Sequence, residues 1–144
     1  MASRSFEIRA VMGDLKKFTT RLVQEITLSV NGQLVKTTPR DTGWARNNWI
    51  PEIGHAYAGT SGTREAAEQG VIDQSSQQQG VAKILTSYSI ERGPVYITNN
   101  VPYIGELNDG SSKQAPAGFV QLSIARGIEN VKGITSRGAT DILR

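Results

Sequence analysis

Residues Val11–Ile26, VMGDLKKFTTRLVQEI, decide the first element of the fold. On a helical wheel, Val11, Met12, Leu15, Phe18, Thr19, Leu22, Val23 and Ile26 fall within about 140° of one another, the apolar stripe of an amphipathic helix. Val30 continues the stripe, and only Pro39 has to lie outside it, so the pattern predicts a helix over Met12–Lys36. Gly32 inside it costs about 1 kcal/mol against alanine, and Asn31-Gly32 offers an earlier stop. The stripe of Leu15, Phe18, Leu22 and Ile26 is expected to pack on a small sheet containing Tyr96–Thr98. Leu28 and Val35 fall on the opposite face, either as scattered surface side chains or as a subunit contact.

Working outward, Thr37-Thr38-Pro39-Arg40-Asp41-Thr42-Gly43 is turn chemistry: proline fixes φ, Asp41 can bond the backbone ahead of it, and Gly43 tolerates positive φ. Trp44–Ile53 follows with Trp49, Pro51 and Ile53 on one face of a strand; Pro51 has no N–H for a ladder, so the strand is an edge or stops there. From Gly54 to Gln79 the composition turns to Gly, Ala, Ser, Thr and Gln, which predicts a flexible loop or assembly arm ordered by partners. Within it Thr63 can cap a short helix to Gln69, and Gln77–Ser87 reads as another helix. Pro94–Asn100 is the best strand in the chain, β-branched and aromatic, closed by two asparagines. Val101–Leu107 has room for one helical turn.

Ala117–Lys132 reads as a helix with Val120, Ile124, Ile128 and Val131 on one face and Phe119 and Leu122 on another. A helix apolar on two sides is buried in a large core or packed against a second chain, so Phe119 and Leu122 join Leu28 and Val35 as candidate interface residues. Residues 133–144 read as a loosely held tail. The sum is one α+β domain over residues 1–144: a long first helix and a closing helix packed on a small, mainly antiparallel sheet.

The 144 residues include 15 glycines and no cysteine. Without cysteine there is no disulfide, no thiolate catalysis and no Cys-based zinc or iron-sulfur site. No apolar run approaches the roughly 18 to 20 residues of a membrane span, and Met1–Ala10 lacks the apolar core of a secretory leader, so neither is expected. The net charge of +3 is uneven: residues 1–40 carry +4, 41–110 carry −4 and 111–144 carry +3. Such a distribution is either dispersed solvated charge or basic ends meeting the acidic middle of a neighbouring copy. Lys16-Lys17 is the only adjacent basic pair and no basic run is interleaved with aromatics, which disfavours a dedicated nucleic-acid reader and leaves non-specific phosphate contact.

Catalytic patterns are missing. His55, the only histidine, sits beside glycine and alanine in loop sequence, and Gly59-Thr60-Ser61-Gly62 fits neither a nucleophile elbow nor a phosphate loop. Glu65 with Glu68, and Glu106 with Asp109, are acid pairs without a histidine, and Arg64 at i, i+4 already accounts for Glu68. No metal, cofactor or catalytic residue is expected.

Two segments stand out together. The first is Thr38-Pro39-Arg40-Asp41-Thr42-Gly43 with Arg46-Asn47-Asn48-Trp49; the second is Ile97-Thr98-Asn99-Asn100-Val101-Pro102-Tyr103-Ile104, then Glu106-Leu107-Asn108-Asp109-Gly110-Ser111-Ser112-Lys113-Gln114-Ala115-Pro116. The pair resembles the neck and tail-completion proteins of tailed bacteriophages, with their Thr-Pro-x-Asp-Thr-Gly turn, Asn-x-x-Pro-Tyr and Gly-Thr/Ser-Ser-x-Gln-x-Pro before a closing helix. The resemblance spans about Leu15 to Asn130; Trp44 and the glutamine-rich Asp73–Gln79 depart from it. It implies a small α+β virion subunit, made in the host cytoplasm and assembled as a ring at the head-to-tail junction. Its partners would be copies of itself and other neck, portal-adaptor or tail proteins, with non-specific contact to DNA in the lumen. A tail terminator is the nearest alternative; a DNA-packaging accessory and a small hydrolase are alternatives of other classes.

Overall fold

The computed structural model describes residues 2–132, with side chains from Glu7 onward; the expected tail, 133–144, lies outside the described residues. The fold is α+β. In chain order it has α1 (Ala2–Thr37), β1 (Ile50–Ile53), α2 (Arg64–Glu68), α3 (Ser75–Ser87), β2 (Val95–Thr98), α4 (Ile104–Asn108) and α5 (Phe119–Glu129), with single 3-10 turns at Arg46–Asn48 and Ile90–Arg92. β1 and β2 pair antiparallel, Ile50 opposite Thr98 and Ile53 opposite Val95.

α1 begins at Ala2 rather than Met12, since neither glycine nor proline precedes Gly13. It also runs through Gly32, whose missing side chain would face open space, so only the intrinsic propensity cost is felt there. The expected burial of the stripe of Leu15, Phe18, Leu22 and Ile26 holds only in part: Phe18, Leu22 and Ile26 are half-buried and Ile26 packs on the core with Ile97, whereas the amino-terminal end of the stripe is open. Leu15 is 50% exposed, and the buried positions of α1 are Thr27, Val30, Asn31 and Leu34, toward its carboxyl end. The stripe is continuous but its cover is not: α5 has 11 residues against 36 in α1.

The closing helix also turns a different face inward from the one its apolar residues predict. Phe119, Ser123 and Gly127 are buried, while Ile124 and Ile128 remain 40% and 44% exposed. Small residues let two helix backbones approach closely. A Cβ on Gly127 would lie 2.6 Å from Val30 Cα, Ser29 Oγ donates to the Gly127 carbonyl at 2.8 Å, and Thr37 and Ser123 share a hydroxyl bond of 2.6 Å. Phe119, expected at a subunit contact, instead fills the chain's own core with Val30, Leu34, Trp49 and Ala115. Leu28 and Val35 are half-buried, and Val35 packs on that core; only Leu122 of the four candidates is exposed.

Pro51 occupies the edge position anticipated for it. Beyond it lies α3, whose Gly80 sits so close that a Cβ would meet the Pro51 carbonyl oxygen at 2.5 Å. Glu52 of β1 is buried, and Lys83 of α3 reaches both its oxygens at 3.2 Å.

The segment read from composition as a flexible loop carries α2, with Thr63 accepting from Ala66 N as its cap, and the start of α3 at Ser75. Side chains hold it to the core. Asn48 donates to the carbonyls of Trp44 and Ser61 and accepts from Ser61 N at 2.7 Å, and Trp44 Nε1 donates to the same Ser61 carbonyl. Gln74 Nε2 donates to Asn47 Oδ1 and Gln77 Nε2 to the Trp49 carbonyl. Buried polar groups paired in this way give a loop definite geometry despite its scarcity of apolar side chains.

Candidate functional site

The two signature segments meet. The Gln114 side chain accepts from Arg40 N at 2.7 Å and donates toward the Arg40 carbonyl at 3.4 Å, joining backbone and side chain 74 residues apart. Ser112 Oγ accepts from Gln114 N and holds the side chain's own backbone in place. The result is a cleft of about 590 Å³ whose wall includes Pro39, Asp41, Thr42 and Gly43 from the first segment and Tyr103, Ser111 and Gln114 from the second.

Each wall is built locally. α1 ends at Thr37, and the following carbonyls need partners because a helix leaves its last ones unbonded. Arg46 supplies them: Nη2 and Nε donate to the Thr38 carbonyl at 2.9 and 3.2 Å, and its positive charge sits where the helix dipole is negative. Thr38 is fully buried; its hydroxyl donates to the Leu34 carbonyl and accepts from Trp49 Nε1 at 2.7 Å, so the turn is bolted to the core. Gly43 then takes φ +91°, a value that L side chains rarely adopt. Asp41 was expected to bond the backbone ahead of it. Thr42 does so instead, accepting from Trp44 N at 3.2 Å, while Asp41 stands exposed at the cleft.

On the second wall Asn99 accepts from Val101 N and donates to the Ala45 carbonyl at 2.9 Å, and Asn100 donates to the carbonyls of Tyr57 and Gly59. Both asparagines bond turn backbone as their sequence position suggests. Pro102 and Pro116 are exposed, and Gly110 takes φ +95° where the chain leaves α4. Tyr103 is half-buried between Trp44, at 6.1 Å between ring centroids, and the Arg64 guanidinium, 5.7 Å from its own ring centroid. Burial pushes the Tyr103 hydroxyl above the ordinary tyrosine range, while a hydrogen bond with Thr42 and the Arg64 charge oppose that shift.

Arg64 and Glu68, which lie outside both signature segments, also line this cleft, and so do Glu106 and Lys113 of the second segment. The i, i+4 spacing of Arg64 and Glu68 foretells their 3.1 Å ion pair but carries no information about which surface that pair faces. Arg46 and Asn48 belong to the first signature, yet their roles as carbonyl cap and loop anchor depend on partners that its local pattern does not fix. Trp49 belongs to the core and not to the cleft.

No family model matches the chain, nor does any curated protein or solved structure. What the cleft can do therefore follows from its chemistry. His55 lies outside it, exposed, with its ring against the carbonyl of neighbouring Ala56. Among the described residues no three His, Asp or Glu side chains cluster as metal ligands do, and no helix is long and apolar enough to cross a membrane. Acids and bases stand side by side around one half-buried aromatic, so the cleft is mixed in charge and can make directional polar contacts.

Proposed function

We propose that this chain is a non-enzymatic virion structural protein, a ring-forming head-to-tail connector or tail-completion subunit of a tailed bacteriophage. It joins the portal side of the head to the tail and leaves an axial passage for DNA. The observation that carries the reading is the Gln114 clamp on Arg40: the two segments that resemble the neck family, far apart in sequence, form one continuous wall. Residues that meet in this way share a surface, and here that surface is mixed in charge, with Asp41, Glu68 and Glu106 set among Arg64 and Lys113. It would take a neighbouring subunit or another neck, portal-adaptor or tail protein. Rings arise when heterologous contacts of this kind close on themselves.

The test is immunogold labelling of phage particles from cells carrying the coding sequence, with antibody raised to this chain. Label at the head-to-tail junction is expected. Label on the capsid faces or tail tip, or finished particles without the chain, would overturn the reading.

A further inference from the structure

Every copy carries two apolar surfaces that it cannot join to each other. The first is the amino-terminal arm of α1, where Ile8, Val11, Met12 and Leu15 share one face and are 61, 50, 55 and 50% exposed. α5 runs antiparallel on α1, Ser123 meeting Thr37 and Gly127 meeting Ser29, and it ends at Glu129, so its cover stops near Ile26. At 1.5 Å per residue, the stretch from Ala2 to Leu15 overhangs by roughly 20 Å. A helix of that length without tertiary cover is marginal in water.

The second surface is a trough of about 480 Å³ beside the covered half of the same helix. α5 and β2 both pack on α1 but scarcely touch one another, which leaves the space between them open. Ile124 and Ile128 form one wall, Val95 and Ile97 the other, and Val23 and Val30 the floor; no charged side chain lines it. It asks for an apolar, uncharged face, and the arm presents one. The α5 wall, 11 residues long, extends roughly 16 Å, enough for the two helical turns from Ile8 to Leu15.

Arm and trough belong to one unbroken helix, so the arm cannot fold back without breaking α1. We infer that the arm of one copy docks in the trough of a second copy, Met12 and Leu15 packing against Ile124 and Ile128. The donor face differs from the acceptor face, so a contact that is not returned by the same neighbour is heterologous and can repeat from copy to copy. This deepens the ring reading and rests on its claim that copies meet one another, not on where the assembly sits.

The chain has no cysteine, which makes the test direct. Full-length Met12→Cys and Ile128→Cys proteins are mixed and oxidised, and the wild type is followed by sedimentation. The expected results are an associating wild type and a cross-linked pair that needs both variants. Met12→Asp should weaken association about tenfold or more, with thermal unfolding unchanged when both proteins are diluted to monomer, where association adds nothing to stability. A monomeric wild type, cross-links only between Met12→Cys copies, or unaltered association of Met12→Asp would overturn the inference. The immunogold location is read separately, so a failed contact and a failed virion assignment are told apart.

Discussion

The two halves of α1 carry the same stripe and meet opposite fates. Toward the carboxyl end, Val30 and Leu34 are 6% and 2% exposed beneath α5; toward the amino end, Leu15 is half exposed although its place on the wheel is as good. Periodicity identifies the face of a helix that wants cover. It says nothing about whether the chain has enough partner to supply it, and here α5 is less than a third as long as the helix it covers.

The most forceful way to break this comparison is to truncate one residue from each half and from the partner helix. Phe119→Ala should cost about 3–5 kcal/mol and Leu34→Ala about 2–5 kcal/mol in chemical denaturation. Leu15→Ala should change the stability of the monomer by less than about 0.5 kcal/mol. Equal losses at Leu34 and Leu15 would mean that the arm is covered within its own copy. An aspartate at Phe119 would unfold the subunit and not merely disperse an assembly, because that ring is 1% exposed inside one chain.

Glycines sharpen the contrast. Gly127→Ala should destabilise by about 2 kcal/mol, since its Cβ overlaps Val30 backbone and the overlap exceeds the roughly 1 kcal/mol gained in helix propensity. Gly32→Ala meets nothing and should stabilise by up to about 1 kcal/mol. Thermal melts of the two single variants should therefore shift in opposite directions.

Smaller effects are expected where the signature segments join. Gln114→Ala removes the Arg40 clamp at an exposed site and should cost about 1 kcal/mol, with faster amide exchange at Arg40 as the local readout. The smallest is a pH effect at the start of α3. Asp73 accepts from the Ser75 hydroxyl at 2.6 Å and from Ser75 N at 2.9 Å, and these bonds hold its carboxyl below its ordinary value of 3.8. A carboxyl depressed in the folded state contributes stability above its unfolded pKa, and that contribution is lost as pH falls through the folded value. Amide exchange at Ser75 should therefore quicken as pH drops below about 4 beyond the intrinsic trend, and Asp73→Asn should abolish the excess.

Much of the candidate site was legible as chemistry. Gly43 needed positive φ, Asn99 needed the Val101 N–H two residues on, and Thr63 capped α2, because each of these requirements is met within a few residues; Asn100 finds its carbonyls at Tyr57 and Gly59, which no local pattern names. The role of Gln114 was not legible. Its partner is 74 residues away, and no local pattern separates a glutamine that clamps backbone from one that faces water. Composition likewise does not show the contacts of residues 54–79, since Asn48, Gln74 and Gln77 tie that segment to the core by hydrogen bonds and hydrophobic patterning does not register them.

The sequence by itself determined the element types, the long amphipathic first helix, the edge strand at Pro51, the turn at Thr38–Gly43 and the absence of any thiol chemistry. All of these rest on short-range sterics, periodicity or residue inventory. Only the tertiary structure decided which faces are buried. On α5 the small residues Ser123 and Gly127 won the core over Ile124 and Ile128, because close backbone approach to Val30 and hydroxyl bonds to Thr37 are available only to side chains that leave room for them. That choice turned Phe119 inward and left the α1 arm and the trough without cover.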